Sequence, residues 1–105
     1  MLRNPHGLLK RFAIKLPVEL TKAGTNTISD QLQTRQVSAD AVHMTYPSIN
    51  VEVGQEVEYY VTLPSQPVSS GVRMRCQGRV VDRDSVQNSL QVSIEHYEFV
   101  SNGRH

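Results

Sequence analysis

The stretch with the clearest chemical content is Ser38-Ala39-Asp40-Ala41, which joins two runs of alternating apolar residues. It is similar to a nucleotide-binding loop that has lost its glycine. Three interpretations are open at this point: a working phosphate site, a retired one, or an ordinary turn. Serine and aspartate both stabilise turns by bonding to nearby backbone groups, so Ser38 and Asp40 fit the last interpretation as well.

The other reactive side chains form no catalytic set. Cys76 falls among apolar positions, which predicts a buried and inert thiol. Arg73, Arg75 and Arg79 share one strand face, which predicts a solvated surface, with an acidic partner or nucleic acid as the alternative. The histidines lack the spacing of metal ligands: His6, His43, His96 and His105. No paired carboxylates or Ser/His/Asp set occur, so we expect neither an enzyme nor a bound cofactor.

Length and composition limit the class of protein. The chain has 105 residues, 38% of them hydrophobic, which is enough for one domain. A net charge of +1 gives no field for general nucleic-acid binding, so no nucleic-acid partner is expected. No apolar window is long enough to cross a membrane, and no signal peptide is recognisable, so we expect no membrane insertion and a cytoplasmic location.

Apolar residues recur at every second position along most of the chain, which is the pattern of strands with one buried face. Six runs show it: 12–20, 32–37, 42–46, 57–63, 72–80 and 90–99. Pro17 marks an edge, a bulge or a bend in the first run. Gly78 predicts a bulge or a close backbone contact, and the change of phase at Glu95-His96 predicts a bulge in the last run.

Short strands joined by turn-rich links must close or stack to bury their apolar faces. We therefore predict an all-β fold, a six-stranded antiparallel β-barrel or split barrel with little helix. The barrel domain should span 10–100. Residues 1–9 are predicted to be a flexible leader, and residues 101–105 a polar tail.

Four stretches in order, "RFAIKLPVEL", "QVSADAVHM", "VGQEVEYYVTLP" and "CQGRVV", resemble a PilZ domain over about Lys10 to Val100. The resemblance implies a six-stranded barrel that binds cyclic di-GMP, a bacterial second messenger. It also implies that binding moves the barrel relative to a partner domain or protein.

The family's first ligand motif is R-x-x-x-R, just before or at the start of the first strand. Arg11 takes the second arginine position, and Gly7 takes the first. An alternative register pairs Arg11 with Lys15, and Lys10 lies beside it. Arginine binds phosphate or guanine through a planar fork, which glycine and lysine lack.

The family's second motif is [D/N]-x-S-x-x-G, leading into a later strand. Gln36 stands for the acid or amide, Ser38 is kept, and Ala41 replaces the glycine. Ala41 adds a methyl group where the ligand should pack, and it would be strained if its φ were positive. A carboxylate at Asp40 would repel a phosphate.

The resemblance therefore implies a PilZ-like regulator whose dinucleotide binding is weakened or lost, acting through a protein partner or as a homo-oligomer. A charged hydrogen bond contributes about 1.5–3 kcal/mol, so losing the arginine pair lowers affinity roughly 10–100-fold.

Two alternatives stay open. One is a functional cyclic di-GMP receptor using Ser38 and Arg11 with Lys10 or Lys15. The other is a small barrel that binds single-stranded nucleic acid or sugar by stacking on aromatic rings. The available rings are Phe12, Tyr46, Tyr59, Tyr60, Tyr97 and Phe99.

Overall fold

The structure, a computed structural model, describes residues 11–64 and 72–101. These residues form seven strands and no helix. In chain order the strands are β1 (Pro17–Ala23), β2 (Asn26–Val37), β3 (Ala41–Met44), β4 (Glu56–Leu63), β5 (Val72–Asp84), β6 (Ser89–Ser93) and β7 (His96–Ser101). The predicted leader and all of the predicted tail beyond Ser101 lie outside the described residues.

Six of the strands close into a barrel. Hydrogen-bonded neighbours follow the order β4-β1-β2-β3-β6-β5, and β5 pairs back to β4 to complete the ring. Every pairing is antiparallel. The seventh strand, β7, pairs with β5 and lies outside the ring. The predicted all-β, six-stranded antiparallel barrel is therefore confirmed, with one strand added to it.

The barrel interior is filled by the inward-facing residues of the alternating runs. Tyr59 is the largest fully buried side chain, and its hydroxyl donates to the Ser93 carbonyl oxygen over 3.0 Å. Cys76 is buried as predicted, and burial raises the pKa of its thiol to about 11. At neutral pH this group is a thiol rather than the reactive thiolate.

Strand β5 pairs with different strands along its length. Its first half, from Val72, pairs with β4 and β7, whereas its last residues pair with β6. The change of partner occurs next to Gly78, where an added Cβ would collide with the backbone carbonyl oxygen of Ser93. The predicted close backbone contact at Gly78 is confirmed.

The first predicted strand is wrong in its bounds. Regular pairing begins at Pro17 rather than at residue 12, and Phe12 contributes only an isolated bridge to Val37. Phe12 and Ile14 are exposed although they continue the apolar alternation. Regular pairing does not extend to these residues because the Thr34 hydroxyl bonds to the Ile14 carbonyl and the Leu16 amide, backbone groups that a strand ladder would otherwise pair.

Two other predictions of strand bounds also need correction. Strand β2 begins at Asn26 rather than near Leu32, because most of its early residues face solvent and give little alternation. The phase change at Glu95-His96 is not a bulge within one strand. The chain leaves β6 after Ser93 and begins β7, which pairs with a different strand.

Candidate functional site

The connection between β2 and β3 is a tight turn held by its own groups. The Ser38 amide donates to the Ala41 carbonyl oxygen over 2.9 Å. The Ser38 hydroxyl lies 2.9 Å from Asp40 Oδ1 and 3.2 Å from the same Ala41 oxygen. The Asp40 carbonyl accepts from the Ile94 amide at 2.8 Å, which fixes the turn to the end of β6. Ser38 and Asp40 therefore act first as turn residues.

The segment that carries Arg11 is fixed against the end of β2. Phe12 and Val37 exchange two backbone hydrogen bonds of 2.8 and 2.9 Å. A second contact lies at Leu16, four residues after Phe12. The hydroxyl of buried Thr34 accepts from the Leu16 amide at 2.8 Å and donates to the Ile14 carbonyl oxygen at 2.6 Å. These contacts hold the chain beside β2, so that Arg11 lies next to the turn after Val37.

A cleft of about 390 Å³ opens at this point. That volume falls within the range of about 300–1,000 Å³ usual for small-molecule sites. The lining residues come from the Arg11 segment, the turn, and strands β2, β3 and β6: Arg11, Gln36, Val37, Ser38, Asp40, Ala41, His43 and Gln91. Four residues predicted for the ligand site thus lie in one cleft: Arg11, Gln36, Ser38 and Ala41.

Of the remaining two predicted ligand residues, one lies elsewhere and the other lies outside the described residues. Lys15 is exposed and is absent from the lining residues, so the register that pairs it with Arg11 is not assembled here. Lys10 lies outside the described residues. Within the part of the chain that the structure describes, Arg11 is the one lysine or arginine lining the cleft.

The charge of the cleft is nearly balanced. Arg11 is exposed and makes no salt bridge to another described residue. Asp40 lines the same cleft, and its carboxylate accepts the Ser38 hydroxyl. One guanidinium and one carboxylate give little attraction for a ligand with two phosphate charges.

Sequence reasoning missed two polar residues of the cleft, His43 and Gln91. His43 Nε2 lies 2.8 Å from Gln91 Oε1, and its Nδ1 lies 3.4 Å from Gln36 Oε1. The three side chains lie side by side because His43 is the register partner of Gln36 on β2 and of Gln91 on β6. The alternation showed that these residues face outward, but the register that joins them is not readable from the sequence.

The expected backbone strain at Ala41 is absent. Among the described non-glycine residues, only Asn88 has a positive φ, so Ala41 begins β3 with an ordinary conformation. The alanine is half-buried and lines the cleft. Its effect on a ligand is therefore limited to the volume of its methyl group.

The arginine stripe on β5 is compensated by glutamates. Arg75 bonds Glu98 at 2.7 Å and Glu58 at 3.3 Å. Arg73 pairs with a glutamate at 3.4 Å, and Arg79 pairs with two others at 3.1 and 3.5 Å. This face therefore offers no uncompensated basic surface for nucleic acid.

No family model, curated protein or solved structure matches this chain. Within residues 11–64 and 72–101, no group of three or more His, Cys, Asp or Glu side chains is arranged to hold a metal ion. The same residues contain no helix with the length and apolar character needed to cross a membrane.

Proposed function

We propose that this chain is a PilZ-like regulatory domain whose cleft stands where the family's dinucleotide site would be. In this proposal the cleft binds cyclic di-GMP weakly or not at all, and the domain acts in the cytoplasm through contacts with other protein surfaces. The role is one of binding rather than catalysis.

The observation that carries the proposal is the convergence of two sequence motifs. The resemblance assigned Arg11 to one motif and Gln36, Ser38 and Ala41 to another, about one quarter of the chain away. All four line one cleft of about 390 Å³. The spacing of these residues along the sequence does not require this proximity, so it supports the resemblance.

Three features of the cleft argue for weak binding of the dinucleotide. Arg11 is a single guanidinium where the family motif has two. The carboxylate of Asp40 lies in the same cleft and repels phosphate. The Ser38 hydroxyl is already within bonding distance of Asp40 and Ala41, so a ligand must break or share those bonds.

The second candidate is a working cyclic di-GMP receptor with an altered site. The exposed guanidinium of Arg11 favours it, because this group makes no salt bridge to another described residue. His43 and Gln91 favour it as well, since they add hydrogen-bonding groups that a guanine edge could use.

Isothermal titration of the full chain with cyclic di-GMP separates the two candidates. The proposal predicts no saturable binding tighter than about 10 μM. Arg11→Ala is the diagnostic variant, and Lys15→Ala is its matched control because Lys15 is exposed outside the cleft. Tighter binding that Arg11→Ala abolishes and Lys15→Ala preserves would establish the receptor and overturn the proposal of weakened binding.

A further inference from the structure

Strand β7 presents a strand edge outside the barrel. It pairs with β5 through residues 96–101, and no other described strand pairs with its outer edge. Natural sheets protect such edges with proline, lysine, bulges or covering elements. The sequence His-Tyr-Glu-Phe-Val-Ser contains neither proline nor lysine, and the pairing of β7 with β5 shows no register shift.

Two aromatic side chains are exposed on the same strand. Tyr97 is 59% exposed and Phe99 is 62% exposed. Both lie on the same face of the sheet as their apolar register partners on β5, Cys76 and Met74. Their ring centroids are 5.7 Å apart with an interplanar angle of 76°, an edge-to-face contact that orders both rings. The two rings therefore form an exposed apolar patch beside an unpaired strand edge.

We propose that this surface binds β7 of a second copy of this chain, so that two barrels join through antiparallel β7 strands about a twofold axis. Pairing centred on Glu98 would place Tyr97 opposite Phe99 of the partner subunit, and Phe99 opposite the partner subunit's Tyr97. The two rows of aromatic rings would therefore meet on one face of the joined strands. Glu98 would lie opposite Glu98 of the partner subunit, and the Arg75 guanidinium, 2.7 Å from the Glu98 carboxylate, compensates that charge.

The exposed aromatic surface of the two copies would supply a large part of the area that a small dimer interface buries. An aromatic side chain buries about 150–250 Å² when it is covered, so the exposed parts of four rings supply roughly 400–600 Å². A stable interface needs about 1,000 Å² or more in total. The backbone pairing of the two strands and the adjoining side chains of β5 would supply the remainder.

This inference does not depend on the cleft, because β7 contributes no residue to the cleft lining. Failure of cyclic di-GMP binding would leave it intact, and failure of self-association would leave the proposal about the cleft intact.

Sedimentation velocity over a series of protein concentrations tests the proposal. The wild-type chain should approach twice its mass of 11.8 kDa as concentration rises. The double variant Tyr97→Lys, Phe99→Lys should stay at the monomer mass, since charges on both strands would repel. Val86→Lys is the matched control, because Val86 is 94% exposed in the turn between β5 and β6. It should dimerise like the wild type.

Hydrogen exchange of the wild type keeps the test decisive if the double variant fails to fold. Amides of β7 that point away from β5 should exchange more slowly at high than at low protein concentration. A wild-type chain that stays monomeric at every concentration would overturn the proposal, as would a dimer whose β7 amides remain unprotected. A dimer unaffected by a folded double variant would also overturn it.

Discussion

At the residue scale, the site depends on one buried hydroxyl. Thr34 is the buried polar residue of the described core, and its hydroxyl satisfies both the Leu16 amide and the Ile14 carbonyl. The bond to Leu16 is fully buried, so it cannot be replaced by water at no cost. This side chain therefore fixes the segment that leads back to Arg11.

Replacing Thr34 by valine should destabilise the fold by about 1–3 kcal/mol, because the shape is kept while two backbone groups lose their partner. Urea unfolding followed by circular dichroism measures the change. Thr27→Val is the control, since Thr27 is exposed on the same strand and should change stability by less than about 0.5 kcal/mol. Equal stability of the two variants would show that the hydroxyl does not hold the segment.

A second residue-scale prediction concerns Glu58, whose side chain is only 12% exposed. Burial raises the pKa of this carboxyl, but hydrogen bonds from Arg75 and Gln77 and the charges of Arg75 and Lys22 outweigh it. The net pKa lies below the ordinary 4.5. A carboxyl whose folded pKa is depressed stabilises the fold above its unfolded pKa, and this contribution is lost as pH falls through the folded value.

The denaturant midpoint of the wild type should therefore fall as pH drops below 4.5, and Glu58→Gln should flatten that part of the profile. Glu52→Gln is the control, because the Glu52 side chain is 74% exposed and pairs only at 3.8 Å. Its profile should follow the wild type. Parallel profiles for wild type and Glu58→Gln would exclude a stabilising role for the carboxylate.

At the element scale, the close approach of β5 to the end of β6 depends on the absence of a side chain at Gly78. A Cβ there meets the backbone carbonyl of Ser93, which no side-chain rotation can relieve. Gly78→Ala should cost about 1–3 kcal/mol in the free energy of unfolding, as overpacked sites do. Alanine at exposed Gln31 should have little effect. A Gly78→Ala variant as stable as wild type in urea would mean that β6 moves freely at this point.

The strands themselves could be predicted to the extent that one face of each is buried. Val57, Tyr59 and Val61 alternate cleanly and lie in the core, so β4 was predicted almost to the residue. Strand β2 was only half predicted, because its first residues face solvent and carry no apolar rhythm. The start of β1 was misplaced because the buried hydroxyl of Thr34 replaces ladder bonds, an effect that depends on tertiary packing.

The pairing of β7 could not be predicted from the alternation of apolar residues. Tyr97 and Phe99 continue the apolar rhythm of β6, so the sequence predicts one strand with a bulge. In the structure they belong to a strand that pairs with β5, and both rings are exposed. Periodicity reports which side chains share a face, but it does not report which strand they pair with or what covers them.

At the scale of the whole molecule, the adjacency of β2, β3 and β6 determines the site. Arg11, Gln36 and Ser38 were predicted from sequence, and the Phe12–Val37 bridge places Arg11 beside the other two at one cleft. His43 and Gln91 were not predicted, since their proximity depends on the register between β3 and β6. The sequence thus indicates which residue types are available, whereas the register determines which of them face one another.

Restoring the motif tests most directly the proposal that a PilZ-like scaffold carries a weakened dinucleotide site. The triple variant Gly7→Arg, Gln36→Asp, Ala41→Gly rebuilds both family patterns around Arg11 and Ser38. Titration calorimetry should show saturable binding of cyclic di-GMP to this variant, at least about tenfold tighter than to wild type. A further Arg11→Ala change should abolish that binding. A folded triple variant with no gain in affinity would contradict the proposal.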